Sequence, residues 1–343
     1  MISSDLRRAL RHAVAAAGFP PGADPGLRPT GIPGQYAASV ALTLGGDARE
    51  TARGLAATLA DASAWIEKAE VTGPGYLTVT VTAAALAAVA DRVAAAGPGC
   101  TASDALAGVT VPAPPPGDPL AAATWEEARV ALAARLTARL AAAAGAEVTG
   151  ATRPRSGQPE REPDAGQRRR DGAGPNASGR LPDIAAAVAY ARRDTVTFAL
   201  ARAIPGRPLR VEPEIIARHV AANPAYAVRY AHARAASGVR WALAFRGDDP
   251  APRLPADPGE LALLDALSWL PERVAVAARR GRPDEFARYL EELAGVTVNA
   301  LISVRHPGNA AAPGSDRLTL ARAAQAGLAA GLGLLEVSAP ERL

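Results

Sequence analysis

The chain has 343 residues, of which 49% are hydrophobic and only 4% aromatic, and its formal net charge at pH 7 is +4. This length allows two or three domains with sizeable cores, and the basic balance is compatible with an acidic partner such as nucleic acid. The single cysteine, Cys100, excludes an internal disulfide and a cysteine-based metal site, and no two of the four histidines are at ligand spacing. The sequence therefore predicts neither a metal site nor a cofactor.

The sequence contains no run of 18 apolar residues without charge that would be typical of a membrane span. The first residues, MISSDLRRALRHAV, are typical of an amphipathic helix capped by Ser3 or Ser4, and not of a signal peptide. We therefore expect a cytoplasmic protein that does not contact a membrane.

Residues 1–98 predict a small α/β domain. Asp47 precedes a helical pattern as an N-cap, and the Gly-Pro-Gly turn at 73–75 separates two runs rich in valine and threonine. The predicted helices cover 5–17, 34–44, 47–59 and 83–96, and the predicted strands cover 65–71 and 76–82.

Residues 99–150 predict one strand, over 109–111, and one long helix, over 120–144, with no further strand. Such a lone βα unit cannot form a sheet core by itself, so it must lean on the first or on the last domain. Residues 151–180 are rich in Pro, Gly and Arg, which is typical of a disordered linker. This linker is either a solvated tether or an Arg-rich segment that grips RNA.

Residues 181–343 predict an all-α bundle, since one amphipathic segment follows another with short breaks at proline and glycine. The predicted helices cover 182–203, 213–222, 224–246, 257–280, 284–306 and 315–334. The expected fold class is α+β overall, with a small N-terminal α/β domain, a short βα unit and a C-terminal all-α helical bundle.

The segment from Asn223 to Arg234 reads NPAYAVRYAHAR and combines aromatic and basic residues at helical spacing. Asn-Pro is a helix-start signal, and residues three and four apart lie on neighbouring faces of one helix. Stacking rings beside guanidinium groups suit unpaired RNA bases and their phosphates. The alternative is a core helix whose tyrosines pack inward and whose arginines face the solvent. Trp241 and Trp269 are most simply core residues.

The order of these segments resembles the arginyl-tRNA synthetase family with most of the catalytic domain removed. NPAYAVRYAHAR is similar to the family's NPxYYVQYAHAR, with Ala227 for a tyrosine and Arg229 for the glutamine. The last residues, LLEVSAPERL, resemble LLGVxAPERM, and DTVTF at 194–198 lies where the family has the DALR-type sequence of its anticodon-binding domain. Near the start, GQYAASVA at 34–41 is similar to GDYATNVA, and VTGPGYL at 71–77 resembles the GPGF(I/L)N turn.

The resemblance implies that residues 181–343 bind the anticodon arm of a tRNA, which by family is tRNA-Arg. It also implies that residues 1–98 touch the outer corner of the tRNA, and that residues 99–150 are a βα remnant of the catalytic domain. The implied contacts with the anticodon arm are Asn223, Tyr226, Arg229, Tyr230, His232, Arg234 and Arg240. Those of the N-terminal domain are Gln35, Tyr36 and Tyr76. Arg218 and His219, one helix earlier, are expected to join the same surface as the anticodon-arm residues.

The catalytic boxes of the family are missing from this sequence. The family's PLHVGHLR, with the HxGH box that stabilises the phosphates of ATP, corresponds here to PLAAATWEEAR at 119–129, which contains two glutamates and no histidine. The negative charge of these glutamates would repel the negative charge of a triphosphate. The KMSKS loop requires lysines to neutralise pyrophosphate, and the chain has one lysine, Lys68. We therefore expect no catalytic residues and no enzyme activity.

Three hypotheses remain open from the sequence. The first is a non-catalytic tRNA-binding protein. The second is a protein-interaction scaffold that has lost RNA binding, since Gln35, Ser39, Ala227 and Arg229 depart from the family pattern. Such a scaffold would pair with an aminoacyl-tRNA synthetase or another enzyme. The third is an arginine–tRNA ligase, which the missing boxes disfavour.

Overall fold

The computed structural model describes residues 1–20, 22–150, 183–244, 257–302 and 315–343. The predicted linker lies outside the described residues. The first part of the chain forms an antiparallel sheet of four strands in the order β1-β2-β4-β3, together with three helices. The helices are α1 (Ile2–Ala16), α2 (Ala48–Ala62) and α3 (Ala83–Ala96), and the strands are β1 (Arg28–Pro29), β2 (Gln35–Ala38), β3 (Ile66–Thr72) and β4 (Tyr76–Val81).

Local chemistry explains how α2 begins and how it meets the sheet. The Asp47 carboxylate accepts hydrogen bonds from the backbone N–H groups of Arg49 and Glu50, at 2.8 and 3.2 Å, and so caps α2 as predicted. Gly75, in the turn between β3 and β4, has φ +139°, and a Cβ at this position would lie 2.8 Å from the Cβ of Ala48. Only glycine therefore lets this turn lie against the start of α2.

The prediction of a helix over 34–44 is wrong. The segment forms strand β2, followed by a 3-10 turn over Val40–Leu42. β2 pairs with β4, and Tyr36 and Ala38 are buried while their neighbours are only partly covered. This alternation is typical of a half-buried strand. Its pairing partner, β4, lies about forty residues further along the chain, so the local sequence does not show that the segment forms a strand.

The predicted serine cap of α1 is also wrong. The helix begins at Ile2, and neither Ser3 nor Ser4 supplies a capping hydrogen bond. Ser3 is buried, and its hydroxyl donates to the carbonyl oxygen of Ser268 at 2.6 Å. The hydroxyl that the local pattern predicts as a helix cap thus bonds to Ser268, which lies 265 residues further along the chain.

The middle of the chain forms a small βαβ unit with β5 (Thr110–Pro112), α4 (Trp125–Ala143) and β6 (Glu147–Thr149). The two strands pair in parallel, so the prediction that no strand follows the long helix is wrong. β6 has three residues and all are exposed, which leaves no apolar pattern to indicate a strand. At the start of α4, the side chains of Thr124 and Glu127 form a reciprocal capping box.

The following described residues form the helices α5 (Ile184–Ala191), α6 (Arg193–Ala201), α7 (Pro213–Ile216), α8 (Pro224–Ala244), α9 (Pro258–Arg280), α10 (Pro283–Ile302) and α11 (Ser315–Leu334). Helix α4 docks on them by packing against α6 and α9. The helix predicted over 182–203 is two helices, which break at Arg192 with φ +72°. The helix predicted over 213–222 is a single turn. The α+β class with a C-terminal helical bundle is confirmed.

One continuous core joins the sheet, the βαβ unit and the bundle. α3 packs against α9 and α11, and Gly34 at the edge of the sheet donates its N–H to the Asp265 carboxylate on α9 at 3.0 Å. The division of the chain at residues 98, 150 and 180 stays a prediction. None of the helices described above is long and apolar enough to cross a membrane.

Candidate nucleic-acid interface

Helix α8 carries most of the predicted RNA contacts, and Asn223 organises its start. The Asn223 side chain is buried, and its amide donates to the carbonyl oxygens of Ile216 and Arg218 at 2.6 and 2.8 Å. The backbone carbonyl oxygen of Asn223 accepts the first hydrogen bond of the helix, from the N–H of Ala227 at 2.8 Å. Asn223 therefore shapes the turn before α8 and is not available to RNA, so its prediction as a contact residue is wrong.

Three rings form a continuous stack at the start of α8. The His219 and Tyr226 rings are 5.3 Å apart with planes 12° from parallel, and the Tyr226 and Tyr230 rings are 5.8 Å apart at 21°. His219 and Tyr230, at the two ends of the stack, are exposed, whereas Tyr226 between them is half-buried. The turn held by Asn223 places His219 on Tyr226, so the stack offers planar surface to a further ring.

A second face of α8 is covered by the last residues of the chain, 335–343, which we call the tail. His232 is only 2% exposed, and its Nδ1 donates to the carbonyl oxygen of Pro340 at 2.9 Å. The Arg240 guanidinium lies 3.5 Å from the carboxylate of Glu341 and donates to the carbonyl oxygen of the same residue at 3.2 Å. The prediction that His232 stacks on a loop base is wrong, because the tail occupies the position that a base would need.

Arg229 and Arg234 are held loosely. Arg229 donates to the Ser338 hydroxyl at 3.5 Å and lies 3.6 Å from the Asp194 carboxylate, and Arg234 donates to the carbonyl oxygen of Leu301 at 3.4 Å. These distances exceed those of strong charge-assisted hydrogen bonds. In addition, the buried Nε of each arginine lacks an acceptor within the described residues. The Nη groups of both arginines therefore retain donor capacity for an acidic ligand, whereas the buried Nε atoms do not reach one.

Glu336 sets the direction of the tail. It has φ +58°, a left-handed conformation that is costly for residues with a Cβ, and it stands where LLGVxAPERM has glycine. Its carboxylate lies 3.4 Å from Arg135 and 3.8 Å from Arg139, both on α4. Arg139 also donates to the carbonyl oxygen of Gly333 at 2.8 Å. Helix α4 thus holds the residue at which the chain turns toward α8.

The residues predicted in the N-terminal domain are not gathered into one site. Tyr36 is fully buried, and its hydroxyl is 2.6 Å from the Ser268 hydroxyl on α9. Because no base can reach this ring, the prediction that Tyr36 contacts tRNA is wrong. Gln35 and Tyr76 are half-buried on β2 and β4, and their contact with RNA stays a prediction.

The sequence interpretation missed two features of the interface. The sequence does not predict that the tail covers α8, although Glu341 in the tail, which pairs with Arg240 on this helix, was an available signal. Trp241 was predicted in the core and is instead substantially exposed near the end of α8. Trp269 is buried, as predicted.

Part of this interface lies in a segment that matches a known protein family. The family model described as "DALR anticodon binding domain" matches residues 228–343. The arginine–tRNA ligase of Micrococcus luteus is 35% identical over 179 residues, which are 48% of this chain and 32% of that protein. The arginine–tRNA ligase of Frankia alni is 36% identical over 158 residues, which are 44% and 29% of the two chains.

The chain spans about a third of the length of these curated relatives. The fold is also that of a solved structure, Thermus thermophilus arginyl-tRNA synthetase, with a TM-score of 0.68 at 17% identity over 100% of both chains. Tyr230, Arg229 and Trp241 lie within the matched residues, whereas His219 and Tyr226 precede them. Residues 228–343 therefore match the DALR anticodon binding domain, and about half of the chain is similar to part of the arginine–tRNA ligases.

Proposed function

We propose that this chain is a cytoplasmic, non-catalytic tRNA-binding protein that holds the anticodon arm of a tRNA, by its relatives tRNA-Arg, on helix α8. The observation that carries this proposal is the ring stack of His219, Tyr226 and Tyr230 beside the loosely held Arg229. Unpaired bases stack on such rings, and guanidinium groups bind the phosphates between them. The anticodon loop is the unpaired part of that arm. Residues 181–343 act in this proposal as the anticodon-binding unit.

The N-terminal domain has a smaller role in this proposal. Gln35 and Tyr76 remain the candidates for contact with the outer corner of the tRNA. Since Gly34 and Tyr36 of the sheet region form hydrogen bonds to α9, a tRNA that contacts both surfaces would meet one preformed shape. Preformed surfaces avoid part of the entropy cost of binding.

The non-catalytic part of the proposal rests on the segment that stands in place of the HxGH box. Glu127 belongs to the capping box of α4, and Glu126 forms an ion pair with Arg129 at 2.5 Å. Lys68, the one lysine of the chain, lies on β3 and pairs with Glu70 at 2.7 Å. The two glutamates are acceptors and cannot donate to phosphates, and Lys68 belongs to the N-terminal sheet and not to this segment.

A second candidate function, a protein-interaction scaffold that pairs with an aminoacyl-tRNA synthetase, is favoured by one observation. The tail already engages His232 and Arg240, and Asp194 lies near Arg229, so part of the basic character of α8 is neutralised within the chain. If this neutralisation dominates, RNA affinity is lost and only the folded surface remains for a partner.

Replacing Tyr230 with alanine separates the two candidates. We expect the affinity for a tRNA-Arg transcript, measured by fluorescence anisotropy, to fall about five- to 150-fold, because one stacked base is worth about 1–3 kcal/mol. The melting temperature should stay unchanged, since the ring is exposed, and Tyr230→Phe should bind as the wild type does. The binding constant should also weaken with salt, with a slope of about −0.7 for each phosphate neutralised.

Two results would contradict the tRNA-binding proposal. One is wild-type protein that fails to retain tRNA at low ionic strength. The other is a Tyr230→Ala protein that loses its cooperative melting transition, because the tyrosine would then be a core residue and the scaffold would be the better description.

A pyrophosphate-exchange assay tests the non-catalytic part. With arginine, ATP, Mg²⁺ and tRNA-Arg present, we expect exchange at the level of the protein-free blank. An active arginine–tRNA ligase measured in parallel serves as the positive control. Exchange above the blank that follows the protein through purification would refute this part and leave the binding proposal standing.

A further inference from the structure

The exposed face of α8 extends well beyond the ring stack. With 3.6 residues per turn, Tyr226, Tyr230, Ser237 and Trp241 fall within an arc of about 60° of the helix. Tyr230 is 39% exposed and Trp241 is 42% exposed, whereas Val228, Ala231 and Ala235 on the far side of the helix are fully buried. The face is therefore a single strip with an aromatic ring near each end.

Arginines border this strip. By the same helical geometry Arg229 and Arg240 lie along one edge, and Arg234 lies just beyond Trp241 on the other. Ser237, a small exposed residue, occupies the middle, and Ala233 beside it is buried. Because Glu341 partly neutralises Arg240, attraction at the Trp241 end depends on the indole ring more than on charge. Rings with nearby guanidinium groups match the chemistry of single-stranded nucleic acid, in which flat bases alternate with phosphates.

We propose that Trp241 is a second base-stacking site, which binds an unpaired base of the same RNA that stacks on Tyr230. This inference rests on the proposed function and adds to it a residue and a binding path. The rise of the helix separates the two rings by about 16 Å along α8. That distance is several times the roughly 3.4 Å between neighbouring stacked bases. The two rings therefore stack on different bases of the RNA, and an unpaired RNA segment runs along the strip between them.

Replacing Trp241 with alanine tests the site. We expect the affinity for a tRNA-Arg transcript to weaken about five- to 150-fold, as for the loss of one stacked base. Leu243→Ala is the matched control, because Leu243 is 43% exposed and projects from nearly the opposite side of the same helix. This control should bind with wild-type affinity. Trp241→Phe should retain most of the affinity, because phenylalanine still presents a ring.

Tryptophan fluorescence gives a readout that does not depend on the stability of the alanine variant. Trp125 and Trp269 are buried, whereas Trp65 in the N-terminal domain is half-buried, so the part of the RNA-induced quenching that is lost in Trp241→Phe reports on Trp241. In Trp241→Phe we expect this quenching to fall by most of its amplitude while RNA is still bound.

The outcomes distinguish failure of this inference from failure of the proposed function. If wild-type protein binds no tRNA, both fall. If Tyr230→Ala weakens binding while Trp241→Ala equals Leu243→Ala, only the second site is overturned. Quenching that persists unchanged in Trp241→Phe would overturn it as well.

Discussion

Replacement of Glu272 with alanine is expected to lower the free energy of unfolding by about 3–5 kcal/mol. Glu272 on α9 and Arg7 on α1 are 4% and 2% exposed, and the Arg7 guanidinium donates through both Nε and Nη2 to the Glu272 carboxylate, with 3.0 Å for the Nε bond. Removing the carboxylate leaves a cation buried between the sheet and the bundle. The effect should be near the lower end of the range, because Asp24 still accepts from Arg7 at 2.9 Å. Urea denaturation followed by circular dichroism measures the change.

The control for this prediction removes both charges. An Arg7→Met, Glu272→Leu double variant should recover most of the lost stability, since apolar residues of similar size often replace a buried ion pair without net cost. If Glu272→Ala alone shifts the urea midpoint no more than a surface substitution does, the ion pair does not hold the two parts together.

The same cluster gives a pH dependence. Burial of the Asp24 carboxyl opposes its ionisation, but Arg7, the Gly26 N–H and Arg279 outweigh that effect and hold the pKa of Asp24 below its usual value. A carboxyl whose pKa is lowered in the folded state stabilises the fold at pH values above its unfolded-state pKa of about 4. This contribution is lost as the pH falls through the folded-state pKa. Asp24→Asn should therefore reduce the loss of stability on acidification.

Replacement of Tyr36 with alanine is expected to cost about 3–5 kcal/mol, the range for deleting a large aromatic side chain from a core. Tyr36 is fully buried, and its ring packs 5.0 Å from the ring of Trp269 on α9. The cavity would open between the sheet and the bundle, where neither side can collapse without moving the other. Thermal unfolding measures the loss.

The Tyr36→Phe variant separates a packing role from a role in binding. It keeps the ring and removes only the hydrogen bond to Ser268, so that stability should fall by about 1 kcal/mol. Affinity for tRNA should not change. A large loss of affinity in Tyr36→Phe with the fold intact would show that the hydroxyl does contact RNA.

Sequence patterns predicted those elements whose signals are local. Asp47 capped the helix that it was expected to cap, and α3 has the predicted bounds, because capping and helical periodicity depend on residues within a few positions. The segment at Tyr36 was assigned to a helix and is a strand, because its partner β4 lies far along the chain. The strand β6 could not be predicted, since its three residues are all exposed and have no apolar alternation.

The candidate site shows the same difference between features with a local signal and features that depend on distant segments. Helical spacing placed Tyr226 and Tyr230 on one face, and the structure gives their rings 5.8 Å apart. His232 and Tyr36, of the same residue types expected to bind RNA, are buried by segments distant in sequence, the tail and α9. Residue type and spacing carry no information on what covers a side chain in the folded state.

The sequence by itself predicted an α+β fold with a C-terminal helical bundle, because those properties follow from local periodicity, and its motifs in a fixed order indicated the resemblance to the arginyl-tRNA synthetase family. Only the tertiary structure decided which aromatic and basic side chains remain accessible. Burial depends on contacts between segments as distant as α1 and α9, and a local pattern does not encode them.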